Sequence, residues 1–376
     1  MEKKELNFGL IGTGFMGKTH VFGISAANRV FDLPYKLKLK KLADISEDLA
    51  SKAAFELGVD EYSGNWQELI QDESIDVINI TSPNSFHKEM ALAAIRAGKH
   101  VYCEKPLSIS VQDAKEMSDA SKSSRVMTQV GFNYICNPLL LKARQIIRNG
   151  DLGEIRGFRG IHAEDYMASA DSPFTWRHDP VGGGALADLG SHIIATAEFL
   201  IGPISEVLGN CVTSVHQRPN FSGEMENVYT DDVTRAFLKF ENGASGSIEA
   251  NWIAMGRKMQ HDFEVFGSKG ALFFSQERLN ELLFYKNDDP EGEKGFKTIV
   301  SSPEHEPYGR FCVAPGHQLG FGDLKAIEVK GFVEAIAGLG AEPFNFEAGL
   351  RVQSLVDLIK KSSGETQWLT TETILR

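Results

Sequence analysis

The chain has 376 residues, with 51 acidic against 39 basic side chains and a formal net charge of −12. That acidic balance argues against a broad electrostatic footprint for nucleic acid or anionic lipid. Apolar residues at 42% and charged residues at 24% argue against general disorder, and a length beyond the ~250–300 residues of a single core implies two domains, or one large and one interleaved.

In chain order, the first third alternates short strands with helices. The basic start MEKKELNFGLIGTGFMG is broken by glycine and reads as a first strand over Asn7–Ile11, not as a signal peptide. Gly12–Gly17 is a turn and Lys18–Ala27 a helix. Val30–Tyr35 is a loop, and Lys36–Ala43 a strand whose lysines form a solvated face. Helices are expected over Glu47–Leu57, Phe86–Ala97 and Val111–Ser121. Strands are expected over Asp76–Thr81, His100–Cys103 and Val126–Gly131. This alternation means a doubly wound parallel sheet. After a helix at Pro138–Arg148, strand patterns dominate from Glu154 to Tyr285 around one helix, Ala185–Leu200. A loop region runs from Asn287 to about Gly316. Helices return at Asp323–Ala337 and Glu347–Lys361. The expected architecture is α/β plus α+β. A dinucleotide-binding Rossmann domain covers 1–132, and a substrate-binding and oligomerisation domain with an open, mostly antiparallel sheet covers 133–376.

Cys103, Cys136, Cys211 and Cys312 lie far apart and form no C-x-x-C, so zinc ribbon, redox dithiol and disulfide scaffold are unsupported. A reduced, cytoplasmic compartment is the expectation. No uncharged apolar run approaches the ~18 residues of a membrane span. With no H-E-x-x-H, no metal site is expected.

Gly12-Thr13-Gly14-Phe15-Met16-Gly17 is G-x-G-x-x-G between an apolar strand and a helix, which is the context that makes the pattern informative. Gly12 permits the turn, Gly14 the approach of a pyrophosphate, and Gly17 close helix–strand packing. The helix N-terminus supplies amide donors to phosphate. Asp44, followed by Ile45 at the end of the second strand, is placed to chelate the ribose hydroxyls, which favours NAD over NADP; the alternative is a cap for the helix that follows Ser46. Glu104-Lys105-Pro106 ends a parallel strand over the ligand crevice, where Lys105 can donate to a substrate oxygen and a ribose hydroxyl; the other reading is a surface lysine. In Gly182-Gly-Gly-Ala-Leu-Ala-Asp188-Leu-Gly-Ser-His192 the Asp and His stand four apart, sharing a face if helical. Asp188 can then orient an imidazole that accepts a hydroxyl proton; the alternative is a packed histidine with Asp188 as a cap. His87, His162 and His317 are weaker candidates.

These motifs, together with ITSPNSFHKE, VGFNY and the Trp176-Arg177 pair, resemble the Gfo/Idh/MocA family (glucose–fructose oxidoreductase, inositol dehydrogenase) from about Leu6 to about Leu369. The resemblance implies sugar or cyclitol oxidoreduction with NAD or NADP, and a homodimer or homotetramer formed through the C-terminal sheet. It implies Lys105, Asp188 and His192 as catalytic residues, with His192 the acid/base. Ser82, Asn84, His87 and Glu104 would lie near the cofactor, and Trp176 and Arg177 near the nicotinamide. Asn133, Tyr134, Glu164, Tyr166 and His317 are expected to contact a polyol substrate, with the inositol and anhydrosugar branch the nearest likeness. Ala195 stands where many relatives carry an acid three residues after the histidine. An NAD-dependent glycosidase and a non-catalytic dinucleotide sensor remain alternatives.

Overall fold

The computed structural model describes residues 3–372. They divide into two compact units, 3–136 with 319–351, and 137–318 with 352–372.

The first unit is built on a six-stranded parallel sheet: β1 (Glu5–Ile11), β2 (Lys36–Ala43), β3 (Glu61–Ser63), β4 (Val77–Ile80), β5 (His100–Cys103) and β6 (Thr128–Val130). Their order is β3-β2-β1-β4-β5-β6, the doubly wound arrangement with its switch point between β1 and β4. Helices α1 (Phe15–Val30), α2 (Glu47–Leu57), α3 (Trp66–Gln71), α4 (His87–Arg96) and α5 (Val111–Lys122) connect the strands. In β1 the side chains of Leu6, Phe8, Leu10 and Ile11 are all buried, as in a sheet covered on both faces. Leu10 and Leu42 pack with Ala50, Ala53 and Ala54 of α2. α2 is capped by Ser46, whose hydroxyl accepts from the Leu49 amide, and it ends on left-handed Gly58.

The second unit carries α6 (Pro138–Arg148) and a nine-stranded sheet. Its strands are β7 (Ile155–Ala163), β8 (Ile204–Val212), β11 (Val233–Phe240), β12 (Ser245–Asn251), β13 (Gln260–Gly267), β14 (Gly270–Ser275), β15 (Glu281–Lys286), β16 (Lys297–Val300) and β17 (Leu369–Thr370). A separate hairpin pairs β9 (Gln217–Pro219) with β10 (Met225–Asn227). The large sheet runs β16-β15-β14-β13-β7-β12-β11-β8-β17. β7 and β12 are parallel neighbours, and the other pairs are antiparallel. Period-two alternation is plain in β11: Ala236, Leu238 and Phe240 are buried while Arg235, Phe237 and Lys239 face out. A π-helical turn at Leu186–Gly190 and α7 (Ser191–Ile201) cover the buried face.

The linear division at residue 132/133 differs from the observed one. Residues 319–351, with α8 (Phe321–Ile336) and the start of α9 (Phe346–Glu365), belong to the first unit. α8 packs along α1 and stacks Phe321 on Phe15, ring centroids 5.9 Å apart. α1 also begins earlier than the expected Lys18, because the Lys18 amide already bonds the Gly14 carbonyl at 3.0 Å. β3 and α3 have no counterpart among the expected elements; at three and six residues each is too short to show a period. No helix among the described residues is long and apolar enough to cross a membrane.

Candidate active site

In the first unit, the glycine turn leaves β1 with Gly12 at φ 93°, where an added Cβ would meet the Thr81 and Ser82 backbone at 2.9 Å. A Cβ on Gly17 would collide with the Gly12 carbonyl. Around Gly14, the first cap of α1, the space is open. Amide donors at the start of a sixteen-residue helix are thereby left accessible. The Thr81 hydroxyl donates to the Gly12 carbonyl at 2.6 Å and holds the turn against β4. Asp44 lies at the end of β2, half-buried. Its Oδ2 accepts from the Thr13 amide at 3.0 Å and from the Thr13 hydroxyl, and its Oδ1 from the Ile45 amide at 2.7 Å. The capping alternative for Asp44 falls away, since Ser46 caps α2 itself. Phe15 and Ile45, 73% and 84% exposed, flank the loop as bare apolar surfaces.

Lys105 follows β5, half-buried, before a cis Lys105–Pro106 peptide. Glu104 turns its carboxylate into the interior of the unit. Its carboxylate is 6% exposed and held by Lys325 Nζ and His20 Nε2, each at 2.8 Å from Oε1, while Oε2 accepts from the Lys105 amide at 3.2 Å. Lys325 also pairs with Glu328 at 2.7 Å and reaches the Tyr102 hydroxyl at 3.0 Å; that hydroxyl in turn donates to Glu328. Burial pushes the Glu104 carboxyl up, but the Lys325 ammonium beside it wins and holds it well below the usual carboxylate range. Burial, with Lys325 nearby, lowers His20 to about 4. His20 is therefore neutral, with Asn79 Nδ2 donating to Nδ1 at 2.9 Å and Nε2–H donating to Glu104.

His87 is likewise turned inward. Its ring has no exposed surface, and its nitrogens meet the Pro106 and Ser82 carbonyls, both at 3.0 Å. Burial pushes its pKa down against the pull of the two carbonyls. It ties the loop after β4 to the loop after β5. Ser82 and Asn84 themselves stay partly exposed at that edge. Asn133 is buried with Nδ2 unpartnered, and Tyr134 packs edge-on to Phe321 at 6.2 Å.

In the second unit, Asp188 sits in the π-helical turn and His192 in the first turn of α7. Asp188 Oδ2 accepts from the Tyr166 hydroxyl at 2.7 Å and from Arg177 Nε at 3.1 Å. Arg177 also lies over the Trp176 ring, 4.3 Å from its centroid. Burial and the Asp188 charge push the Tyr166 hydroxyl far up, so it stays a donor. The turn is anchored by Asp231, whose Oδ2 accepts from the Leu186 amide at 2.8 Å. Glu164, expected at the substrate, binds His162 Nε2 at 3.2 Å, which leaves its side chain 21% exposed. His317 is exposed on a loop whose backbone is held by the Tyr308 hydroxyl.

Residues 6–132 match the family model described as an oxidoreductase family with an NAD-binding Rossmann fold, and residues 140–273 match the GFO/IDH/MocA C-terminal domain. The chain belongs to the GFO/IDH/MocA oxidoreductase family. Levoglucosan dehydrogenase of Pseudarthrobacter phenanthrenivorans is 35% identical over 97% of this chain and 98% of its own. Myo-inositol 2-dehydrogenase of Thermotoga maritima is 28% identical over 78% and 81%. A solved levoglucosan dehydrogenase complex with NADH and L-sorbose superposes with a TM-score of 0.95 at 36% identity, covering 99% of this chain and all of that one.

The first unit is thus the NAD-binding Rossmann domain of a GFO/IDH/MocA oxidoreductase. Two features of this member escaped sequence reasoning. Lys325 and Glu328, charged residues on the buried side of α8, break that helix's apolar face and are the sequence signal for the Glu104 network. The partnership of His162 with His261 depends on sheet register, in which the two stand opposite one another.

Proposed function

We propose that this protein is an NAD-dependent dehydrogenase acting on a secondary hydroxyl of a sugar or cyclitol, with 1,6-anhydrosugars of the levoglucosan kind and inositols as the first substrate classes. One observation carries the reading: Asp188, gathered by Tyr166 and Arg177, stands one helical turn before His192 in an otherwise apolar helix start. That environment suits a histidine acting as general base. His192 takes the hydroxyl proton as the carbon gives up its hydride. Lys105 donates to the same oxygen and stabilises developing alkoxide charge. The unpartnered Asn133 amide supplies a further donor to the polyol.

The cofactor fits the residues present: open space at Gly14, an accessible helix N-terminus and a carboxylate at the end of β2. When bound, NAD supplies the hydride acceptor. Asp44 trades its hydrogen bond from the Thr13 hydroxyl for the ribose hydroxyls and repels a 2′-phosphate, which favours NAD over NADP. The outer face of the large sheet supports self-association. It carries a concavity of about 760 Å³ between Arg159, Arg235, Glu249 and Glu264, beside Phe237 at 61% exposure.

The test is NADH formation, read by absorbance, with NAD or NADP against levoglucosan, myo-inositol, scyllo-inositol and aldoses. Net NADH with one of these establishes the dehydrogenase. Glycoside cleavage without net NADH overturns it, and a preference for NADP removes the role given to Asp44.

A further inference from the structure

Behind His192 lies a row of buried rings that the reaction scheme leaves unused. His162 of β7 stands 5.4 Å from His192 and 4.9 Å from His261 of β13, centroid to centroid; His192 and His261 are 6.4 Å apart. All three are almost fully buried. Three imidazoles this close cannot all be charged. Their hydrogen-bond partners decide which one holds the extra proton.

His162 Nδ1 lies 3.1 Å from the Leu189 carbonyl, and Nε2 lies 3.2 Å from the Glu164 carboxylate. Neither oxygen can donate. A neutral ring offers one N–H and satisfies one of them; the imidazolium satisfies both. His261 completes the pattern. Its Nε2 is 3.0 Å from the Thr196 hydroxyl and its Nδ1 is 3.4 Å from His162 Nδ1. A neutral His261 with the proton on Nε2 leaves its Nδ1 lone pair facing the His162 N–H. Burial first, and the charge on His162 second, push the His261 pKa well down, consistent with that neutral tautomer.

We infer that His162 is a permanent buried imidazolium, paired with Glu164, and that its charge keeps His192 unprotonated and ready to accept the substrate proton. His162 and Glu164 are positioning residues: they act through His192. This inference rests on His192 being the general base. The titratable and charged groups on the elements around His192 include His162 and Glu164 from β7 and its end, His261 from β13, and Asp188 from the preceding turn with its partners Tyr166, from the segment after β7, and Arg177; α6 also packs on α7 and sets Arg144 over the Phe199 ring. Neighbouring β12 adds apolar Ile248 and Ala250. Asp188 draws a proton toward His192 and His162 opposes it. The pair of carboxylates therefore serves two rings, not one.

The experiment is a pH titration of full-length protein carrying 13C,15N-labelled histidine, saturated with NADH, followed by NMR of the ring nitrogens. His162 is expected to be protonated on both nitrogens at pH 7.5. In Glu164→Gln its pKa is expected to fall by about two pH units, and in His162→Gln that of His192 to rise by about one. A neutral His162 in the unsubstituted protein overturns the inference, and so does an unmoved His192 in His162→Gln. Should His162→Gln fail to fold, the titration of unsubstituted protein and of Glu164→Gln, whose side chain reaches the surface, still decides the charge of His162. None of these readings needs a substrate. Full turnover in His192→Ala would instead remove the general-base assignment and leave the His162 charge where it is measured.

Discussion

Lys325 in the first unit and His192 in the second are both ionisable groups buried on helices, and their surroundings differ in one respect. Around Lys325 every charge is closed in: Lys325 has no exposed side-chain surface, Glu104 is 6% exposed and Glu328 3%. His192 is equally buried, but the acids around its pair of rings reach outward, Asp188 at 13% and, on the His162 side, Glu164 at 21%, with Tyr166 at 38%. A buried ion whose partners are all protein groups is a brace, since any loss leaves a charge uncompensated in a low-dielectric interior. A buried ring whose neighbouring acids reach the surface keeps a route to solvent and ligand. Charge and burial alone do not separate the two; the exposure of the surrounding acids does.

The sharpest way to break this contrast is Lys325→Met. It strands Glu104 and Glu328, and should cost about 3–5 kcal/mol of stability in urea unfolding; a change below about 1 kcal/mol would deny the brace. His192→Ala and Lys105→Ala should each lower kcat by roughly 10²–10³-fold with NADH affinity unchanged. Stopped-flow turnover beside fluorescence titration of NADH checks that split. Third comes pH. The unfolded chain protonates His20 below about pH 6.5, whereas the native ring stays neutral down to about 4. Stability should therefore fall with decreasing pH across that window by about 1.4 kcal/mol per unit, and His20→Gln should flatten the slope. The smallest effect is expected at Asp44→Ala, about tenfold weaker NAD binding and a loss of preference over NADP, measured by calorimetry with both cofactors.

Much of this molecule is legible in its residues because the signals are local. Lys36–Ala43 and Glu47–Leu57 carry their period and their punctuation within ten or so residues, and the observed bounds coincide with the expected ones. Gly12 and Gly17 are demanded by backbone geometry within six residues. Glu104 shows the limit. Next to Lys105 and at a strand end it reads as a ligand group, but its direction is set by Lys325, 221 residues away. Glu164 reads as a sugar contact, and its carboxylate is also engaged by His162 two residues before it; what is not local is the pairing of β7 with β13, which sets His261 opposite His162. The π-helical turn at Leu186–Gly190 is hidden for another reason. A helix with one extra residue per turn keeps the composition of an α-helix and changes only where Asp188 points.

The return of residues 319–351 to the first unit matters to the order of events at the ribosome. At roughly 5–20 residues per second, Lys325 is made about 10–45 s after Glu104. During that interval the nascent dinucleotide fold holds a carboxylate destined for burial with no cation to meet it. The N-terminal unit, first to be synthesised, is for that reason not first to be finished, and a chaperone holding the nascent chain would have Glu104 and the uncovered flank of α1 to shelter until α8 arrives.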